Sequence, residues 1–455
     1  MSALCDLETY ASDLSAAVKT IVAQCPTLST TSSTTAPQPS LLSDGSSEAN
    51  RARQAILSTI SSLQALLSTP SDFLHHLAVQ NQLLASLQWL GEFQVLACIP
   101  LTGSVPIKDV ADLAGVPESH LSRVIRMTAT AGFLHEPQPG HVAHNALSGP
   151  FVTKPSYLDA AMFLAGTAAP AALQMPAATQ RFGQSLRANE TAFNIAFNNL
   201  ATFASTAEQR PRLQRQWPAY LRYGTKDVDD RVTELLSRLD QFRRGSTSVV
   251  GARTTDRAKT LTALYPSLHI IVQLAPPNTS LNGWSSPIRP PTPCHKHDDL
   301  RQLTSLTSAA SNNNTSSSPN ITIQQRTPAT PQPISDASVY ILHLPSPSPT
   351  TPFGSLAART IAELRAHLDV LRSNPSTTLI LTPRLLPEPG SVNPDVEATA
   401  RLRDLALLQL ANEREIELTE LLSIVNSVSD TMGRFVVVNK VNLWANFGFA
   451  TLPEW

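Results

Sequence analysis

This chain is short of the residues that most enzymes of its size use freely. Its 455 residues include only 17 glycines, against an ordinary share of about 7%. Backbones that wrap closely around a nucleotide use glycine where a Cβ would collide with the ligand. Charged residues make up 15% and aromatics 5% of the chain, and the formal net charge is −1. Such a chain has no global electrostatic hold on nucleic acid or an anionic bilayer. The four cysteines, Cys5, Cys25, Cys98 and Cys294, are far apart and form no C-x-x-C pair. That argues against a disulfide framework and a structural zinc site. No run of 18 apolar residues suggests a membrane span, and the acidic start MSALCDLETY carries no apolar h-region. A reducing intracellular compartment is expected.

Proline is in surplus, with 36 residues, and much of the surplus lies in two Ser/Thr-rich stretches. Residues 26–50 read as a disordered linker after an N-terminal helix over 1–25, and 276–335 as a disordered insertion. Between them, apolar spacing predicts helices over 50–99, with Gly91 separating or kinking the last of them. Residues 105–144 then read as strand, helix, turn, helix and a two-stranded wing, a winged helix-turn-helix. Such a unit either reads DNA or serves packing and dimerisation. Residues 92–150 hold three cations (Lys108, Arg123, Arg126) against five carboxylates, a poor footprint for phosphate contacts. The packing role is favoured, with DNA contact indirect or weak.

Residues 151–245 read as a helical connector. A β-α-β pattern begins at Ser246, breaks at the insertion and resumes through Ala337–Leu344, Ala357–Leu371 and Thr377–Thr382. The expected fold class is therefore α/β, with an N-terminal helical and winged-helix region and a Rossmann-like domain over 246–455. The dimerisation and winged-helix domain is placed at 51–150.

The segments ALYPSLHIIVQ (263–273), TPQPISDASVYILH (330–343) and LRDLALLQLANERE (402–415) resemble, in order, stretches of the cofactor-dependent O-methyltransferases. That resemblance implies S-adenosylmethionine held by an acid-ended strand, a glycine loop and further acids. Here the corresponding positions are degenerate: Val249 for the acid, then Gly251, Ala252 and Thr255 along the loop, and Leu274 for the ribose-binding acid. Arg326-Thr327 stands where the family has a His-Asp pair. The acid and Trp that follow the family's catalytic His are missing after His343, which runs into Leu344-Pro345-Ser346-Pro347. The late Glu413, Arg414 and Glu415 are retained and read as a helix-end ion pair. Expected catalytic residues, cofactors and metals are therefore none. Cys294, His295, His297, Asp298 and Asp299 have residue types suited to zinc, but a solvated loop is the simpler reading. His75-His76 reads as a partly exposed helical face.

Within that fold, DFLHHLAVQNQLLASLQWLGEFQVLACIP (72–100) resembles the fungal coactivators of polyketide gene clusters, of the aflatoxin-coactivator type. The resemblance implies a methyltransferase-like pseudoenzyme that activates transcription beside a cluster-specific zinc-cluster transcription factor, as a homodimer, in the nucleus and without a membrane partner. No Lys/Arg cluster suggests its own import signal, so entry with its partner is expected. An active O-methyltransferase of the pathway and a non-catalytic scaffold for a pathway enzyme are the alternatives.

Overall fold

The computed structural model describes residues 2–24, 47–224, 248–250, 258–259, 261–262, 266–274, 320–349, 353–374, 377–430, 433–443 and 446–454. They form two compact units: residues 1–227 with 388–412, and residues 228–387 with 413–455.

In the first unit, helices Ser2–Gln24 and Ser47–Leu67 pack together. The expected linker is thus shorter than 26–50, because Ser47–Asn50 already continue an amphipathic helix, with Ala49 and Ala52 buried. Helix Pro70–Glu92 starts on a capping box. Asp72 N–H donates to the Thr69 hydroxyl at 3.3 Å, and the Asp72 carboxylate accepts from Thr69 N at 2.9 Å. This helix runs through Gly91 rather than breaking there. A Cβ at Gly91 would lie 2.4 Å from Met162 Sδ, so glycine here permits close helix packing. The third helix expected to Ile99 is a single 3-10 turn, Val95–Cys98.

The winged helix forms with a smaller wing than expected. Strand β1 (Val105–Pro106) pairs antiparallel with β2 (His141–Val142), and a lone bridge joins His135 to Ala143. Helix Ile107–Ala114 ends at Gly115, whose φ of +67° is the left-handed cap that glycine suits. Helix Glu118–Thr130 turns Leu121 and Ile125 onto Leu90, Val95, Val110 and Leu134.

Two boundaries expected from the sequence need correction. Residues 151–224 are continuous with the winged-helix unit and do not stand as a separate connector. Helix Pro394–Ala411, placed by the sequence in the Rossmann-like domain, belongs to the first unit. Its Leu410 is buried with Phe163, Phe203 and Tyr220, and Asn412 donates to the carbonyls of Arg187 and Glu190 at 2.8 and 3.0 Å.

The second unit is an eight-stranded sheet. Its strands are β3 (Ser248–Val250), β4 (His269–Leu274), β5 (Ile321–Gln325), β6 (Val339–Leu342), β7 (Thr378–Leu381), β8 (Ser429–Asp430), β9 (Gly433–Leu443) and β10 (Asn446–Glu454). The order is β5-β4-β3-β6-β7-β10-β9-β8. The first five are parallel, and β10, β9 and β8 pair antiparallel. The chain reverses its winding direction between β3 and β6, where doubly wound sheets open a crevice. β5 overturns part of the expected disordered insertion: Ile321–Gln325 pair in register with Ile270–Leu274. β6 and β7 are buried on both faces, as parallel interior strands are.

Candidate functional site

The crevice at the carboxyl ends of β3, β4 and β6 is where this topology would hold a nucleotide. Val249 lies within β3, while Gly251, Ala252 and Thr255 lie outside the described residues. Leu274 ends β4, half-buried, and its carbonyl accepts from Arg326 N at 2.9 Å. An aliphatic chain offers ribose hydroxyls no acceptor, and each hydroxyl buried without a partner costs about 1–3 kcal/mol.

Arg326 brings a positive charge to the place of the His in the expected His-Asp pair, and Thr327 stands for the acid. That charge is spent internally. The guanidinium bonds Glu363 and the carbonyl of Thr330, and the second Glu363 oxygen accepts from Ala329 N. Arg326 and Glu363 side chains are 9% and 6% exposed. Beside them, Gln273 and Gln332 form a reciprocal amide pair at 2.8 and 3.0 Å. Gln273 also donates to Gln324 of β5 at 3.0 Å. Gln332 continues the chain to His367 Nε2 at 3.2 Å, and His367 Nδ1–H donates to the Glu363 carbonyl at 2.8 Å. The His367 ring stands edge-on to Tyr340, whose phenol burial pushes up to about 12. None of these glutamines was singled out from the sequence. Their positions carry no periodic signal, and only the fold brings them together. Among the described residues the Leu274 side chain thus offers S-adenosylmethionine no acceptor. Beside it Gln273, Gln332, His367, Glu363 and Arg326 bond one another, with Arg326 Nε left buried and unpartnered.

Burial holds the His367 imidazole below its ordinary value of 6.5, which keeps it neutral in the fold. The unfolded chain takes up a proton near pH 6.5 that the folded chain resists. His367's contribution is thus present above pH 6.5 and lost as pH falls below it. His144, buried against the Leu96 carbonyl and Ser148, carries the same sign. Urea denaturation at steps from pH 7.5 to 5 should show falling stability below pH 6.5. His367→Gln should flatten that slope, and an unchanged slope would refute the assignment.

His343 follows β6, with its Nδ1 2.6 Å from the Thr382 hydroxyl. Of the retained late cluster, Arg414 pairs with Glu420, and Glu415 pairs with Arg384 at 3.2 Å. Cys294, His295, His297, Asp298 and Asp299 lie outside the described residues. Among the described residues no group of His, Cys, Asp and Glu could hold a metal, and no helix is long and apolar enough to cross a membrane. His75 and His76 are exposed on their helix.

On the winged helix, Arg126 is taken up by Glu136 through bonds of 3.0 and 3.2 Å, and Glu136 also accepts from Gly140 N at 2.7 Å. One of the two arginines of helix Glu118–Thr130 thus fastens the wing.

Comparison with known proteins identifies the family. Residues 4–68 match the family model described as the trypacidin cluster transcriptional coactivator tpcD N-terminal domain. The chain is 68% identical to the monodictyphenone cluster transcriptional coactivator mdpA of Emericella nidulans, over 97% of this chain and 96% of that one. It is 45% identical to the agnestins biosynthesis cluster transcriptional coactivator of Paecilomyces divaricatus, over 99% and 98%. Among solved structures it resembles a riboflavin-analogue dimethyltransferase (RosA) from Streptomyces davawensis, with a TM-score of 0.57 at 12% identity over 85% of this chain and 100% of that one. That likeness concerns the fold alone. The chain belongs to the fungal transcriptional coactivators of secondary-metabolite gene clusters, built on a methyltransferase-like fold and acting in transcription rather than in catalysis.

Proposed function

We propose that this coactivator works by protein–protein contact in the nucleus, as a homodimer, beside a cluster-specific zinc-cluster transcription factor that supplies the DNA reading. The observation that carries this reading is the apolar surface left on its N-terminal helices. Phe73, Leu74 and Leu77 of helix Pro70–Glu92 are 60%, 66% and 50% exposed. Val18 and Val22 of the first helix and Leu57 and Ile60 of the second are exposed too. Apolar side chains clustered on one helix turn and left exposed, as Phe73, Leu74 and Leu77 are, mark association sites. A second copy of the chain is the occupant we assign to it, since isologous pairing needs only one such patch. Direct DNA contact stays weak in this reading, because Arg126 is paired with Glu136 and the other two cations of the stretch, Lys108 and Arg123, are outnumbered in sequence by Asp109, Asp112 and Glu118.

No cofactor is part of the proposal. Calorimetric titration with S-adenosylmethionine should give no saturable heat, and micromolar binding would overturn the pseudoenzyme reading. Deleting the gene should lower the cluster's transcripts. Lost product with unchanged transcripts would instead favour a pathway enzyme or an enzyme scaffold. Affinity capture of the tagged protein from producing mycelium should recover the zinc-cluster factor, and its absence would argue against that partner.

A further inference from the structure

Pro170 has no N–H for the carbonyl of Gly166 four residues earlier, and its ring crowds that carbonyl. Around it the helix that begins at Pro155 widens into a π turn, Leu164–Ala168, before Ala169–Leu173 resumes the α form. π turns are rare and concentrate at functional sites. This one places Gly166 and Thr167 on the wall of a cavity of about 270 Å³ within the first unit.

The cavity has three kinds of wall. Phe193 and Phe197, with centroids 5.0 Å apart, and Met162 supply an apolar face. Gln216 also lines it and is only 6% exposed, yet its amide makes no hydrogen bond among the described residues. The Gln88 amide and the buried Thr167 hydroxyl likewise lack a hydrogen-bond partner there. None of these atoms is a buried one left unsatisfied, so solvent reaches them and they stand open to a ligand in the cavity. At the rim, Arg212 is paired with Glu92 at 2.8 Å, whereas the Arg210 side chain has no partner among the described residues.

We infer that this cavity binds a small aromatic hydroxy acid. The ring packs between the phenylalanines and Met162. Ring hydroxyls meet Gln216 and Gln88, whose amides both donate and accept. The carboxylate meets Arg210. Aromatic walls with a few convergent polar groups are the usual make-up of a small-molecule site. The inference goes beyond the coactivator reading and does not depend on it.

The probe is 1-hydroxy-2-naphthoic acid, followed by its own fluorescence on titration with the full-length protein. Saturable binding is expected, weakened by about tenfold or more when the charged contact is lost in Arg210→Ala, and further in Arg210→Glu. 1-Naphthol, which lacks the carboxylate, should bind equally to all three proteins. Gln216→Leu should weaken binding, because it removes the amide that meets the ring hydroxyl. Arg210 is exposed, so its variants keep the test valid even if Gln216→Leu fails to fold. Absence of saturable binding would leave a water-filled cleft and overturn the inference. So would binding that ignores Arg210, or binding that fades as the protein associates at higher concentration, which would make the cleft part of a subunit contact.

Discussion

Arg326→Met is expected to destabilise the protein by about 3–5 kcal/mol, the usual cost of removing one partner from a buried ion pair. The Glu363 carboxylate would keep its bond from Ala329 N but lose its counter-charge in a site only 6% exposed. The loss should not stay local. Arg326 also ties the Thr330 carbonyl, and Glu363 carries the carbonyl that fixes the His367 tautomer. Gln332, Gln273 and β5 hang on that histidine in turn. Urea denaturation would measure the cost. The double variant Arg326→Met/Glu363→Met should recover most of it, since an apolar pair of similar volume replaces a buried ion pair at little net cost. A single variant within about 0.5 kcal/mol of the parent, the range of ordinary surface changes, would refute the argument. Lysine should rescue poorly, because one ammonium cannot reach both Glu363 and the Thr330 carbonyl as the guanidinium fork does.

This network ties polar side chains of β4, β5 and the segments after them to one another at one side of the methyltransferase-like sheet. Removing ribose-binding acids alone would leave strand ends with unmet donors and acceptors. Here Leu274 contributes only its carbonyl, and an Arg–Glu–His–Gln–Gln chain closes on itself beside it. Of this network's side-chain polar atoms only Arg326 Nε is buried without a partner, so a ligand entering here would have to displace existing bonds.

How much of this was legible beforehand differs by element. The winged helix was legible because Leu121, Val124 and Ile125 repeat at helical spacing and Gly115 marks a helix end. The degeneracy proposed for the crevice rests on Leu274, an aliphatic chain where the resemblance calls for an acid, a change of chemistry visible in one letter. β5 was hidden: Ile321 and Ile323 are two apolar residues at the end of a polar tract, and only pairing with β4 makes them a strand. The allegiance of Pro394–Ala411 was hidden for another reason. Its buried set includes Arg403 and Gln409 as well as Leu407 and Leu410, so periodicity could not say which core it serves. The glutamine pair, 59 positions apart, left no sequence trace.

Phe73→Asp combined with Leu77→Asp should convert the protein to a monomer and abolish its effect on cluster transcripts. The two positions are one turn apart, so they share a face with Leu74, and all three are at least half exposed. Burying such side chains gains about 1.5–3 kcal/mol each, counted twice in a two-fold interface. Two carboxylates per chain would forfeit that gain and set four like charges against one another. Failure of the helix itself is a poor explanation for such a result. The Thr69–Asp72 capping box lies outside the altered face, and Asp at position 73 sits in the first turn, where the helix dipole favours an acid. Multi-angle light scattering on parent and variant gives the mass. Circular dichroism and the melting curve show whether each chain stays folded. A folded variant that remains dimeric would remove this face from the interface. A folded monomer that still supports full transcript levels would separate activation from dimerisation and leave these side chains with no part in the coactivator's work.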